Sequence, residues 1–216
     1  AMRVLKFGGT SVGSVANINQ VINIVAKGAE KQKITVVVSA LGGVTDLLMQ
    51  SGILASTKED YTSVFEELES KHLEFIKELV PNDQEAIADI EGLLNDLKSL
   101  LQGIYLINEL SPKTIDKLLA FGEILSSSII ARAMYAKGLD AARKDSRDLI
   151  TTNDKHTKAG VNYKVTNSQL EYYFAKAKQQ ITVLPGFIAS SASGETTTLG
   201  RGGSDFTAAI VVTDQI

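Results

Sequence analysis

Cysteine and tryptophan are absent from the 216 residues, proline occurs three times and histidine twice. Without cysteine there is no disulfide, no thiolate zinc site and no cysteine nucleophile, which fits a reducing compartment and leaves oxygen ligands for any metal. His72 and His156 stand in polar surroundings without a partner motif, so both are read as surface residues. No stretch approaches the roughly 20 apolar residues that span a bilayer, and the N-terminus enters a strand directly instead of a signal-peptide apolar region. Lysine and arginine are scattered and the formal net charge is −3, so no basic footprint for nucleic acid is visible. These absences set the expectation of a cytoplasmic protein that binds neither membrane nor nucleic acid. Ala1, ahead of Met2, reads as a cloning remnant.

What is present is enough apolar material for one core: 44% of residues are hydrophobic, and no tandem repeat or linker divides residues 1–216. Arg3 to Phe7 reads as a strand, Asn17 to Ala26 as a helix with Ile18, Val21, Ile22 and Val25 along one face, and Ile34 to Ser39 as a strand apolar on both faces. That order implies a parallel crossover unit. From about residue 56 to 104 the apolar spacing becomes helical, broken at Pro81-Asn82-Asp83, which predicts a helical hairpin inserted into the α/β layer. Its charges, Glu66, Glu67, Glu69, Lys71, Glu74, Lys77 and Glu78, are read as a solvated face. Ser111-Pro112 caps a helix running to about Tyr135. Beyond it we expect a strand near 139–144, a polar stretch over 151–164, a helix over 168–178, a strand over 181–188 and a turn over 190–194.

Three Gly-Gly pairs, Gly8-Gly9, Gly42-Gly43 and Gly202-Gly203, are each followed within two residues by Thr10, Thr45 or Ser204. The first two follow strand-like runs and precede helical sequence, so their backbone N–H groups would gather at neighbouring strand ends, where anions bind. Lys6, beside Gly8, Gly9, Thr10 and Ser11, places a charge at such a turn, yet the segment matches neither a Walker A loop nor the dinucleotide fingerprint. Ser39 to Asp46 repeats the arrangement; taken alone it is equally an ordinary strand-to-helix turn. Glu123 falls on or beside a buried helical stripe, where it requires a cation, either a substrate ammonium or a structural lysine or arginine. Arg201, between glycines and ahead of Ser204-Asp205, suits bidentate capture of a carboxylate.

Taken together and in order, Lys6 to Val12, Ser39 to Asp46, Phe121 to Glu123, Asp145-Ser146-Arg147-Asp148 and Thr196 to Asp205 resemble the aspartate kinases of the amino-acid kinase superfamily, over residue 2 to about 210. The long helical insertion and the run from Gly103 to Asn108 look most like the kinase part of bifunctional aspartokinase/homoserine dehydrogenases. The resemblance implies a three-layer α/β/α sandwich with a mainly parallel sheet, ATP and Mg²⁺, and transfer of the γ-phosphoryl group to the side-chain carboxylate of L-aspartate, the first step toward lysine, threonine and methionine. It implies that Arg201 grips the aspartate α-carboxylate, Glu123 its ammonium, and Ser39, Thr45 and Ser204 the remaining polar atoms. Lys6 and the Gly8-Gly9 and Gly42-Gly43 amides then meet the phosphates, with Asp205 orienting Lys6, and no residue is assigned as a metal ligand. A homodimer is the family's expectation.

Because the family's nucleotide segment follows the helix near Ser204, we expect 216 residues to hold the aspartate half of the site and to lack much of the nucleotide half; Thr213-Asp214 is similar to the Thr-Asp of that segment but arrives early and lacks its usual sequel. The alternatives are another amino-acid kinase, such as a glutamate or acetylglutamate kinase, and a non-catalytic aspartate-binding module. The segment from Arg201 to Asp205 and Glu123 argue against the first.

Overall fold

The computed structural model describes residues 2–214; Ala1 lies outside them. Strand β1 (Met2–Phe7) leads into α1 (Val15–Ala29) and β2 (Lys33–Val38), the expected crossover. Ser14 starts α1 by accepting a hydrogen bond from the Asn17 N–H at 3.1 Å, and Ile18, Val21, Ile22 and Val25 form its buried face as the spacing predicts. Then come α2 (Val44–Ser56), α3 (Thr62–Leu79), α4 (Gln84–Ile107) and α5 (Pro112–Ala136). The remainder is β3 (Ala141–Arg143), a 3₁₀ turn over Ser146–Asp148, β4 (Thr151–Thr152), α6 (Tyr163–Lys176), β5 (Ile181–Pro185), β6 (Ile188–Ser191), β7 (Thr196–Thr198) and α7 (Gly203–Asp214).

The main sheet has the order β1-β2-β5-β3 and every pairing in it is parallel. Alternation along the buried β2 builds two cores. Ile34, Val36 and Val38 face α1 to α5, while Val37, with Leu184 of β5, faces Leu170 of α6 and Ile210 and Val211 of α7. Helices therefore cover both faces, giving the three expected layers. A second sheet, β4-β6-β7, pairs β4 with β6 in parallel and β6 with β7 antiparallel.

Several boundaries differ from the sequence reading for local reasons. The run expected as one strand over 181–188 breaks into β5 and β6, because Pro185 lacks an N–H and Phe187 takes a positive φ of 73° that turns the chain into the second sheet. Helix α6 starts five residues before the expected 168, since Asn162 accepts from the Val165 N–H and caps it. The hairpin of α3 and α4 forms as expected, with Asp83 accepting from the Ala86 N–H at 2.9 Å. Helix α5 is long and apolar enough to cross a membrane by length and composition, contrary to the expectation that no stretch approaches that length. Within the protein, however, 72% of its most apolar window is buried, so it is the central core helix. Near its far end Arg132 pairs with Asp89 and, at 3.7 Å, with Glu85 of α4.

Both histidines depart from the surface reading. His156 is half-buried against Asp116. His72 is fully buried in α3, its Nδ1 2.7 Å from the Leu68 carbonyl, which can only accept, so Nδ1 carries the proton and Nε2 is left without a partner. Burial presses its pKa down to about 4, reinforced by the nearby Lys71 charge. The unfolded chain binds this proton at ordinary histidine pH and the folded chain does not, so stability present above pH 6.5 is lost as pH falls toward 4. In thermal melts, His72→Leu is expected to flatten the decline of Tm between pH 6.5 and 4; a decline as steep as that of the wild type would exclude His72 as its source.

Candidate active site

Parallel pairing brings the carboxyl ends of β1 and β2 level, with Phe7 opposite Val38, and the Ser39 N–H continues the ladder by donating to the Phe7 carbonyl at 3.1 Å. Beyond them lies a cavity of about 730 Å³. Its walls come from the first two glycine turns, the loop and first turn of α7, α5, and the segment around Thr157. The turns touch: a Cβ added at Gly42 would stand 3.1 Å from the Gly9 carbonyl oxygen. Gly43 takes φ +83° as the cap of α2, a conformation that glycine adopts without strain. Among the described residues the N–H groups of Gly9, Gly42 and Gly43 make no hydrogen bond. Helices α2 and α7 both begin at the cavity, so the positive ends of two helix dipoles add to these donors.

Of the residues singled out from the sequence, Lys6, Gly9, Ser39, Gly42, Gly43, Thr45, Glu123, Arg201, Ser204 and Asp205 all line this one cavity. Gly8, Thr10 and Ser11 do not; they form the turn behind it, where the Thr10 carbonyl accepts from Asn17 Nδ2 at 2.9 Å. Gly8 still adjoins the site, as a Cβ there would lie 3.6 Å from Lys6 Nζ. Lys6 Nζ pairs with Asp205 Oδ1 at 2.8 Å, joining the end of β1 to the first turn of α7. Ser39 Oγ donates to Ser204 Oγ at 2.9 Å, tying the end of β2 to the same first turn of α7. Arg201 is exposed and forms no ion pair among the described residues, which leaves its guanidinium available.

Glu123 enters from α5, and the packing around Gly122 explains how. A Cβ at Gly122 would come within 2.8 Å of Ala40 Cβ, so glycine permits α5 to cross tightly over the end of β2. The neighbouring Glu123 side chain is thereby set into the cavity wall, with 5% of the residue exposed and Oε1 unpartnered. No lysine or arginine pairs with it among the described residues, which rules out the structural-pair alternative there. Burial raises its pKa to about 8 despite opposing backbone hydrogen bonds.

A buried cluster beside the cavity was not anticipated. Asp116, fully buried, accepts from His156 Nδ1 at 2.8 Å, from the Thr157 N–H at 3.0 Å and from Thr198 Oγ1 at 2.7 Å. It thereby fastens the segment carrying Thr157, itself a wall residue with φ 75°, to α5 and β7. A signal existed: Asp116 precedes Glu123 by seven residues and so shares its helix face.

Over 212 residues the chain is 30% identical to a bifunctional aspartokinase/homoserine dehydrogenase of Zea mays, covering 96% of this chain and 23% of that protein. It is 36% identical over 209 residues to an aspartokinase of Chlamydia muridarum, covering 96% and 44%. The crystal structure of E. coli aspartokinase III with aspartate and ADP superposes with a TM-score of 0.87 at 27% identity, covering 100% of this chain and 47% of that one. The chain thus spans less than half the length of these relatives. The family model described as the amino acid kinase family matches residues 1–213, and the chain belongs to that family.

Proposed function

We propose that this chain supplies the aspartate-binding and phosphoryl-transfer residues of an aspartate kinase, which moves the γ-phosphoryl group of ATP to the β-carboxylate of L-aspartate. The observation that carries the reading is the meeting, in one cavity, of a free arginine, an unpaired buried carboxyl and a lysine beside anion-binding turns. An amino acid with an acidic side chain presents the complementary charges: its α-carboxylate to Arg201, its ammonium to Glu123, and its side chain to the turns, with Ser39, Thr45 and Ser204 for the remaining polar atoms. E. coli aspartokinase III, solved with aspartate and ADP, supports the choice of ligands.

The nucleophile needs no strong base, because a carboxylate is already ionised at neutral pH. The chemical work is to bring two anions into line and to neutralise the transferred group. Lys6, held by Asp205, and the N–H groups of Gly9, Gly42 and Gly43 are preorganised for this, so little reorganisation accompanies the developing charge. Mg²⁺ supplies charge neutralisation on the nucleotide phosphates. The acids in the cavity wall are Asp46, Glu123 and Asp205; with Glu123 facing the substrate ammonium, Asp46 and Asp205 would be left for the ion, a set suited to one bound largely by phosphate and water. A non-catalytic aspartate sensor shares the carboxylate and ammonium contacts but has no use for the unpaired amides beside Lys6.

The test is phosphorylation of aspartate by the full-length protein, with glutamate as competitor. Lys6→Ala is expected to lower kcat by about 10²-fold or more with little change in the KM for aspartate, because it removes an interaction made chiefly in the transition state. Arg201→Ala is expected to raise that KM instead, by about tenfold or more for a lost charge-assisted pair. Equal small effects from both would refute the assignment.

Glu123 gives a pH signature. A substrate ammonium favours the ionised carboxyl, so aspartate affinity should rise as pH climbs toward 8, and binding near pH 7 should release a proton, measurable by calorimetry in buffers of different ionisation enthalpy. Affinity that is flat from pH 6 to 8.5 would remove Glu123 from the ammonium site. The same raised pKa means that folding stability is highest below pH 4.5 on this account and is lost as pH rises toward 8. Glu123→Gln should therefore melt higher than the wild type at pH 8, by a margin that shrinks toward pH 5, while losing aspartate binding.

A further inference from the structure

Lys71 belongs to the charged face of the helical hairpin, yet it is half-buried, unlike Glu66, Glu67, Glu74, Lys77 and Glu78 around it. Its ammonium leaves α3 and donates to the carbonyl of Gly42, with its stem beside Phe75, whose ring centroid is 5.9 Å from Nζ. Lys71 is not part of the cavity wall, whereas Gly42 and Gly43 are. The carbonyl of Gly42 and the N–H of Gly43 belong to one peptide group, no cis bond occurs among the described residues, and in a trans peptide these two bonds point in opposite directions. A carbonyl drawn outward to Lys71 therefore aims the Gly43 N–H inward, where it has no partner.

The geometry points to Lys71 as a positioning residue for phosphoryl transfer, acting through the Gly42–Gly43 peptide. Two effects follow from the contact. The peptide is held in the one orientation that presents its N–H to an anion, which matters because Gly43 at φ +83° has backbone freedom that other residues lack. A cation on the carbonyl oxygen also polarises the peptide, so its N–H becomes a stronger donor to a phosphoryl oxygen, as coupled hydrogen bonds reinforce one another in a site of low dielectric. The helical hairpin thereby contributes to the reaction without touching substrate, and the contact explains why one lysine of a solvated face is drawn under the strand ends.

The kinetic half of the test rests on the reading given under Proposed function; the binding half does not. Lys71→Met keeps the apolar stem and removes the ammonium, and Lys71→Arg keeps a cationic donor. In the full-length protein Lys71→Met is expected to lower kcat by about tenfold, less than the loss of a direct oxyanion donor, with the KM for aspartate and Tm nearly unchanged, and Lys71→Arg to restore most of the loss. In ¹⁵N-resolved titrations with tripolyphosphate, the Gly43 amide should shift in the wild type, and Lys71→Met should weaken the affinity by about threefold to tenfold. If tripolyphosphate binds at Gly43 in a Lys71-dependent way but aspartate is not phosphorylated, the kinase reading fails while the control of the Gly43 anion donor by Lys71 stands. A Gly43 amide that ignores tripolyphosphate, an affinity and kcat within twofold of the wild type in Lys71→Met, or losses that track Tm and are not restored by arginine, would each overturn it.

Discussion

Because β1 and β2 run in parallel and end level, two chain reversals must occur side by side, and each is made of glycines whose amides have no strand left to pair with. The site depends on that constraint. A parallel sheet cannot return its strands through short hairpins, so each strand end opens into a loop and a helix, and the helix N-terminus faces the same side as the strand end. Lys6, as the penultimate residue of β1, is fixed by the ladder before any ligand arrives, and its pairing with Asp205 then positions α7. The ion pair is half exposed and adds little stability by itself. What it provides is registration between the first strand and the last helix of the described chain, which are nearly 200 residues apart in sequence.

Glu123 carries the opposite balance. The fold accepts a buried carboxyl with an unpartnered oxygen, an arrangement that favours the neutral acid until a cation arrives. Stability is thus given up at one position for selectivity, since a ligand without an ammonium leaves that group unsatisfied. Arg201 is the counterpart with the reverse economy: exposed, solvated and unpaired, it costs the fold little and is ready for a carboxylate.

Much of this was legible in the sequence because it was written in local signals. The parallel crossover was readable from the two-faced apolar run of β2, α1 and α5 from caps and periodicity, and the cavity residues from glycine pairs next to strand ends. The resemblance to aspartate kinases ordered those pieces and agrees with the relatives found. Features that depend on what a side chain meets across the fold were hidden. His156 has no motif around it, and its partner Asp116 lies 40 residues away; His72 sits among charges in sequence yet turns to the inner face of α3. Lys71 looked like one charge of many, and only the approach of α3 to the Gly42 turn distinguishes it. The break at Pro185 was visible as a proline, but the positive φ at Phe187 that turns the chain into a second sheet is set by tertiary contacts.

The tight crossing at Gly122 also has a mechanical consequence for α5. A helix of 25 residues, about 37 Å long at 1.5 Å per residue, meets the end of β2 at Gly122, near its middle, so a rocking of this rod about that contact would move its two arms in opposite directions. A tilt of about 5° would carry Arg132, ten residues along, by roughly 1.3 Å and Asp116, six residues back on the other arm, by roughly 0.8 Å the opposite way. Glu123 sits at the fulcrum and hardly moves. Displacements imposed on the α4 end of the rod through Arg132 would thus reach the wall segment held by Asp116, while the acid that reads the ligand's charge stays still.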